Sequence, residues 1–256
     1  MDHLGDTIIR IGPALVIVMV VLAGVAVAVN VAASSGHGRE TVIAVIRAVV
    51  QLSALAAILA VVIRNLGLSI LFAAVMAVAA AATSASRLTG GHLRKSTSPL
   101  RTVALCLLPV ALPTAVIMAA VVAAGVVPAS GIAIIPTAGI MFSSAMTATS
   151  LAGKHSHDEL AHRYGEVEAA LSLGFLPRDA RLALIKPAAA TALIPGIDQT
   201  RSVGLVGIPG AFVGMVLGGA STTAAAIMQL FVLIALLAVS AIAVLVTTEM
   251  VSRELL

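Results

Sequence analysis

Charge is scarce in this chain of 256 residues: Asp, Glu, Lys and Arg together make up 10%, against roughly 25% in an ordinary soluble domain. Tryptophan is absent, tyrosine occurs once, phenylalanine five times and cysteine once. The lack of charge, set beside 60% hydrophobic residues and a mean hydropathy of +1.14, excludes a soluble globular domain, which could not bury so much apolar surface. The single cysteine, Cys106, excludes an internal disulfide and a cysteine cluster for zinc or iron and sulfur. It lies in an apolar run and reads as a packing residue. The near absence of Trp and Tyr removes the usual interfacial aromatic belt, which leaves cohesion to small side chains. A phosphate-binding loop is missing too. Gly153-Lys154 is followed by His155 and has no earlier glycine at the required spacing, so the chain does not bind ATP by that route.

What is present is apolar sequence, mainly Ala, Val, Leu and Ile. Stretches of about 20 such residues fall at about 8–30, 41–63, 68–86, 102–124, 132–152, 191–217 and 225–248, each long enough to cross a bilayer. Turn-forming segments separate them: Ser34-Ser35-Gly36-His37-Gly38, Thr89-Gly90-Gly91-His92, Val127-Pro128-Ala129-Ser130-Gly131 and Leu217-Gly218-Gly219-Ala220-Ser221. The expectation is an all-α, polytopic transmembrane bundle of about seven spans, a single permease domain over 1–256. The first run follows Asp2 and Asp6 rather than a basic stretch and reads as a retained helix.

The formal net charge of +4 reports topology rather than nucleic-acid binding. Placing the N-terminus outside and the C-terminus inside puts Arg39, Arg87, Arg94, Lys95, Arg101, Lys154, Arg163, Arg178, Arg181, Lys186 and Arg253 in the cytoplasm and leaves only Arg10 and Arg64 near the outer ends, with Arg47 and Arg201 within or near the ends of helices. The expected location is the inner (plasma) membrane, crossed several times. On that orientation the one long polar segment, about 153–190, is cytoplasmic. Within it Asp158 to Leu173 reads as one amphipathic helix, Gly174 suits its end, and Pro177 begins a second short helix. The pair predicts a rigid elbow able to transmit a push.

Glu168-Ala169-Ala170, Gly174, Leu184 and Pro187 resemble the Glu-Ala-Ala-x3-Gly-x9-Ile-x-Leu-Pro loop of ABC permeases, with Leu184 and Lys186 departing from it. The resemblance implies that Glu168, Ala169, Ala170, Gly174, Pro177 and Pro187 couple the chain to a cytoplasmic ATPase subunit. Arg47-x3-Gln51-Leu52, Met146-x4-Leu151-Ala152 and Val203-Gly204-Leu205-x2-Ile208-Pro209-Gly210-x3-Gly214-x3-Gly218 extend it. Together these stretches resemble the bacterial Fet-type iron-export permease family, to which the plant aluminium-sensitivity permeases are similar. That resemblance implies a permease without its own ATPase motif, paired with a second copy and served by ATP and Mg on the partner subunits, exporting a metal ion such as iron. The chain itself would carry no cofactor and no catalytic residue. The family commonly has Gly-Asn and Asn-Ala in the fifth span, where this chain has Ser143-Ser144 and Thr147-Ala148.

Gly204, Gly207, Gly210, Gly214 and Gly218 are spaced by three or four, which on a continuous sixth helix confines them to one face, with Pro209 kinking it. Tight helix packing and a gating hinge both account for the pattern. Ionisable groups inside a bilayer are costly, which singles out Arg47, Asp198 and Arg201. Two readings stay open for them. They pair structurally, or with Gln51, Gln199, Ser143, Ser144 and Thr147 they form a polar station on the transport path. The histidines at 155, 157 and 162 fit a solvated helix start or weak metal capture, and Met141, Met146 and Met215 fit gap-filling or soft-cation contact. No metal ligand set is defined. The alternative to an ABC permease is an ATPase-independent secondary carrier with Asp198 as its ion or proton station.

Overall fold

The computed structural model describes residues 12–33, 38–89 and 99–256. The turns at 34–37 and 90–92, Asp2 and Asp6, and Arg10, Arg94 and Lys95 of the charge count lie outside them. Seven stretches are long and apolar enough to cross a membrane, and no β-strand occurs among the described residues, only an isolated bridge from Val203 to Gly207. The chain is a multi-pass, all-helical membrane protein.

Its contacts divide it into two units between Val61 and Val62. In the first, α1 (Pro13–Ala32) and α2 (Gly38–Val62) are joined by a hydrogen bond from Asn30 Nδ2 to Thr41 Oγ1 of 2.9 Å. The second holds α3 (Leu66–Leu88), α4 (Pro99–Ala123), α5 (Gly131–His162), α6 (Tyr164–Ser172), α7 (Pro177–Ala190), α8 (Ile194–Ser202), α9 (Gly210–Leu217) and α10 (Thr222–Ser252). Local chemistry starts several of these. Asn65 Oδ1 accepts from the amides of Gly67 and Leu68 at the head of α3, and Ser221 Oγ accepts from Ala224 at the head of α10.

Helix α5 is the centre of the second unit, touching α3, α4, α7 and α10. Ala138, Ala145 and Ala152 lie buried at seven-residue intervals along it, in one apolar cluster with buried Ala77 of α3, Val110 of α4 and Val239 and Ala243 of α10. Small side chains let these backbones approach, and in hydrocarbon close packing replaces the hydrophobic drive of a soluble core. Hydroxyls add interhelical bonds. Ser84 Oγ donates to the carbonyl of Met146 at 3.1 Å, and the Ser144 and Ser240 hydroxyls share a hydrogen bond of 2.8 Å.

The sixth span departs from the sequence expectation at both ends. It runs Pro177–Ser202, built from α7, a 3-10 turn at Thr191–Leu193 and α8, so it starts inside the segment expected to be cytoplasmic. The charges that suggested a loop sit in its first turns and are neutralised there. Arg178 meets Glu249 and Asp179, and Arg181 meets Glu254. At the other end the helix stops at Ser202. Gly204 takes a positive φ of 78° and its amide donates to Gly207 O at 2.9 Å, while Pro209 holds the preceding residue out of the helical region. The glycines therefore do not share one helix face. Gly204 and Gly207 form a turn, Gly210 and Gly214 lie on short α9, and Gly218 caps it.

Candidate functional site

The expected single helix from Asp158 to Leu173 is two helices. The first part completes α5, whose 32 residues span about 48 Å at 1.5 Å each, more than a hydrocarbon core needs. The chain then bends at Arg163. Its guanidinium bonds Glu159 of α5 at 3.0 Å and Glu166 of α6, fixing the angle between the helices. The Arg163 hydrogen bonds hold the Glu166 carboxyl below its ordinary pKa. A group lowered in this way stabilises the bend above the ordinary carboxylate pKa, and that contribution fades only as pH falls through the lowered value.

Helix α6 is nine residues long and ends in a Schellman turn: the Phe175 amide donates to Ala170 O and the Gly174 amide to Leu171 O. Gly174 has φ +88°, which is why glycine stands there. Leu176 then caps α7, with Pro177 at its first position. Glu168 and Ala169 are exposed, Ala170 is half-buried and Val167 packs inward. Pro187 is not in the elbow, since it lies inside α7. Around the turn Leu173 is 80% exposed and Leu176 68%, with Tyr164 and Phe175 exposed as well. Sequence reasoning missed the group that anchors this elbow. Arg178 grips Glu249 near the end of α10 through two bonds of 2.7 Å, and Glu249 also accepts from Arg253. A lone glutamate in the last turns of an apolar helix was the available signal.

A cavity of about 340 Å³ opens between α5, α8, α10 and the 3-10 turn. Four predicted transport-path residues, Ser143, Ser144, Thr147 and Gln199, line it together, joined by Ser240, which the sequence reading did not pick. Ser144 stands about 20 Å along α5 from its first residue, near the middle of a bilayer-length helix. Pro195 and Gly196 of the broken span form part of the wall.

The ionisable candidates lie elsewhere. Asp198 and Arg201 pair at 3.8 Å in the last turns of the sixth span, 62% and 77% exposed, and neither lines the cavity. Arg47 and Gln51 are exposed on α2 of the first unit. His155 Nδ1 makes a 2.7 Å hydrogen bond with Thr191 Oγ1 at the break of the sixth span, and His162 bonds Asp158 O. Among the described residues no three His, Cys, Asp or Glu side chains converge as a metal site.

A second cavity of about 360 Å³ lies between the turn at Val203–Pro209 and α10. Gln229 lines it, 7% exposed, and its Oε1 has no hydrogen-bond partner. An orphaned buried acceptor costs about 1–3 kcal/mol. Gln229→Leu is therefore expected to raise the thermal unfolding midpoint of the purified protein by several degrees. A lower midpoint would show that the carboxamide is satisfied in the folded protein.

Three relatives share parts of this sequence. The rice UPF0014 membrane protein STAR2 (Oryza sativa subsp. japonica) is 38% identical over 135 residues, 53% of this chain and 47% of the relative. Protein ALUMINUM SENSITIVE 3 of Arabidopsis thaliana is 38% identical over 120 residues, 47% of this chain and 44% of the relative. The probable iron export permease protein FetB of Escherichia coli (strain K12) is 29% identical over 121 residues, 47% of each. The chain spans about half the length of the curated relatives it matches. No solved structure matches it. The family described as Uncharacterised protein family (UPF0014) matches residues 13–256, the described helices from end to end, and the chain belongs to it.

Proposed function

We propose that this chain is the membrane-spanning permease subunit of an ABC transporter that exports a metal cation such as iron, with ATP and Mg bound and hydrolysed on a separate cytoplasmic subunit. The observation that carries the reading is the elbow. A nine-residue helix and its Schellman turn leave Leu173, Phe175 and Leu176 exposed between two spans, where apolar side chains gain about 1.5–3 kcal/mol each by burial against a partner. The same elbow carries Glu168-Ala169-Ala170 and Gly174, and Arg178 ties its far side to α10. A push on α6 thus reaches α7 and α10 together, and α7 ends at the break beside the hydroxyl-lined cavity.

Other features fit the same assignment. The ends of the spans that meet at the elbow carry Arg163, Arg178, Arg181 and Arg253, and the positive-inside tendency supports a cytoplasmic elbow with the protein in an inner membrane. Ser143, Thr147 and Gln199 are exposed in the second unit, and polar groups at membrane depth favour a second copy of the chain as the cavity's other wall. One relative is named a probable iron export permease. A carrier driven through Asp198 fits less well, because that carboxylate stands off the cavity, paired with Arg201.

The test is reconstitution in liposomes with the ATP-hydrolysing subunit. Ferrous ion is expected to stimulate hydrolysis in the wild type, and Glu168→Ala with Gly174→Pro is expected to remove the stimulation. Cation movement by the chain alone, with no ATPase present, would overturn the assignment.

A further inference from the structure

The polar wall of the 340 Å³ cavity consists of the hydroxyls of Ser143, Ser144, Thr147 and Ser240 and the carboxamide of Gln199, and every other lining side chain is aliphatic, proline or glycine. These are neutral oxygens. Transition ions that shed their water are held by imidazole, thiolate or carboxylate, and hard ions by many converging oxygens that include carboxylates. Hydroxyls offer far less to an ion stripped of its shell, and two of these four already bond to each other at 2.8 Å. Neutral acceptors do suit water polarised by a cation, because a coordinated water donates a strengthened hydrogen bond. Size agrees as well. A divalent cation with six first-shell waters occupies roughly 180 Å³ at about 30 Å³ per water, well within the cavity.

Gln229 supplies the independent observation. It stands eleven residues before Ser240 on α10, within about 20° of the same face and about 16 Å away, separated from it by Leu233 and Leu236. Its Oε1 is a buried acceptor without a donor, beside a second cavity at the non-helical turn. A single carboxamide does not replace a hydration shell, but it does receive a hydrogen bond from one of its waters. One face of α10 therefore carries two neutral acceptor stations in line.

We infer that the cation crosses this chain with its first hydration shell intact, its waters held by Ser143, Ser144, Thr147, Gln199 and Ser240 and then by Gln229, an inference that rests on cation export as proposed above. No bond from metal to protein forms along this track. Selectivity then follows the size and charge of the hydrated ion rather than the softness of its ligands.

The experiment measures ATP-driven movement of Mn²⁺ in proteoliposomes holding the chain and its ATPase subunit, with hexaamminecobalt(III) as competitor. That complex has the shape of a hydrated ion and does not exchange its ligands. Competitive inhibition is expected, with an inhibition constant within about ten-fold of the KM for Mn²⁺, and Ser144→Ala with Ser240→Ala is expected to weaken both about ten-fold. Removing both partners of the serine pair leaves no orphan, so the variant keeps its fold. Mn²⁺ movement indifferent to hexaamminecobalt(III) would overturn the inference and leave cation export standing. No ATP-driven movement of Mn²⁺ or Fe²⁺ in the wild type would overturn both.

Discussion

Leu173→Asp together with Leu176→Asp abolishes ATP-driven transport while leaving the bundle folded. Both side chains are largely exposed, so neither contributes much to the packing of the chain itself. Apolar anchors at the centre of an interface typically cost 2 kcal/mol or more each when lost, so the pair lowers affinity for the ATPase subunit by about a thousand-fold. The stability of the purified permease should stay within about 0.5 kcal/mol of wild type, as for other exposed positions. Gly174→Val separates surface from geometry. It keeps the apolar face but forces a branched residue to φ +88°, at a cost of about 1–2 kcal/mol, and is expected to weaken coupling less than the double aspartate. Affinity of the detergent-solubilised complex, read by titration with the ATPase subunit, checks both variants. Unchanged affinity in the double aspartate would remove the elbow from the interface.

Gly131→Ala is expected to destabilise the second unit by about 2–3 kcal/mol, as overpacking of a tight site does. Gly131 begins α5 and is buried against the turn that joins α2 to α3. An added Cβ would stand 2.1 Å from Ser69 Oγ, 2.9 Å from Ile63 Cα and 3.0 Å from Ile63 O. Ser69 cannot give way freely, because its hydroxyl donates to the carbonyls of Val62 and Asn65. The backbone must shift instead. The unfolding midpoint should fall by about 5–10 °C at this size. Gly165→Ala is the contrast: nothing lies within 4 Å of the added methyl, and an alanine inside α6 stabilises by about 0.5–1 kcal/mol. Equal midpoints for the two variants would mean that the α5 start is not packed as described.

The apolar spans were legible because hydrocarbon demands long uninterrupted runs, and all seven appear in the structure. The sixth was misread for a physical reason. Arg178, Asp179, Arg181 and Lys186 depress the apparent hydropathy of α7, yet three of them sit in its first turns and form ion pairs, two of these with acids near the end of α10 and just beyond it, 71 and 73 positions away in sequence. Starting the span too late carried it through the glycines, whereas the helix ends at Ser202, just beyond Asp198 and Arg201. The cavity was legible in part. Ser143, Ser144, Thr147 and Gln199 stand out as polar groups within apolar stretches, and they do converge. Ser240 and Gln229 carry the same signal, and their eleven-residue spacing puts them on one face of α10. The knot of Arg178 and Glu249 depends on tertiary contact, and spacing alone could not reveal it.

Impermeant maleimide labelling of Leu173→Cys measures most directly whether the elbow faces the cytoplasm and meets an ATPase there. The native Cys106 is buried, which leaves the introduced thiol as the reactive one. The account predicts no labelling in intact cells, strong labelling in inverted membrane vesicles, and protection in those vesicles when the ATPase subunit is bound. Labelling from outside intact cells would contradict it.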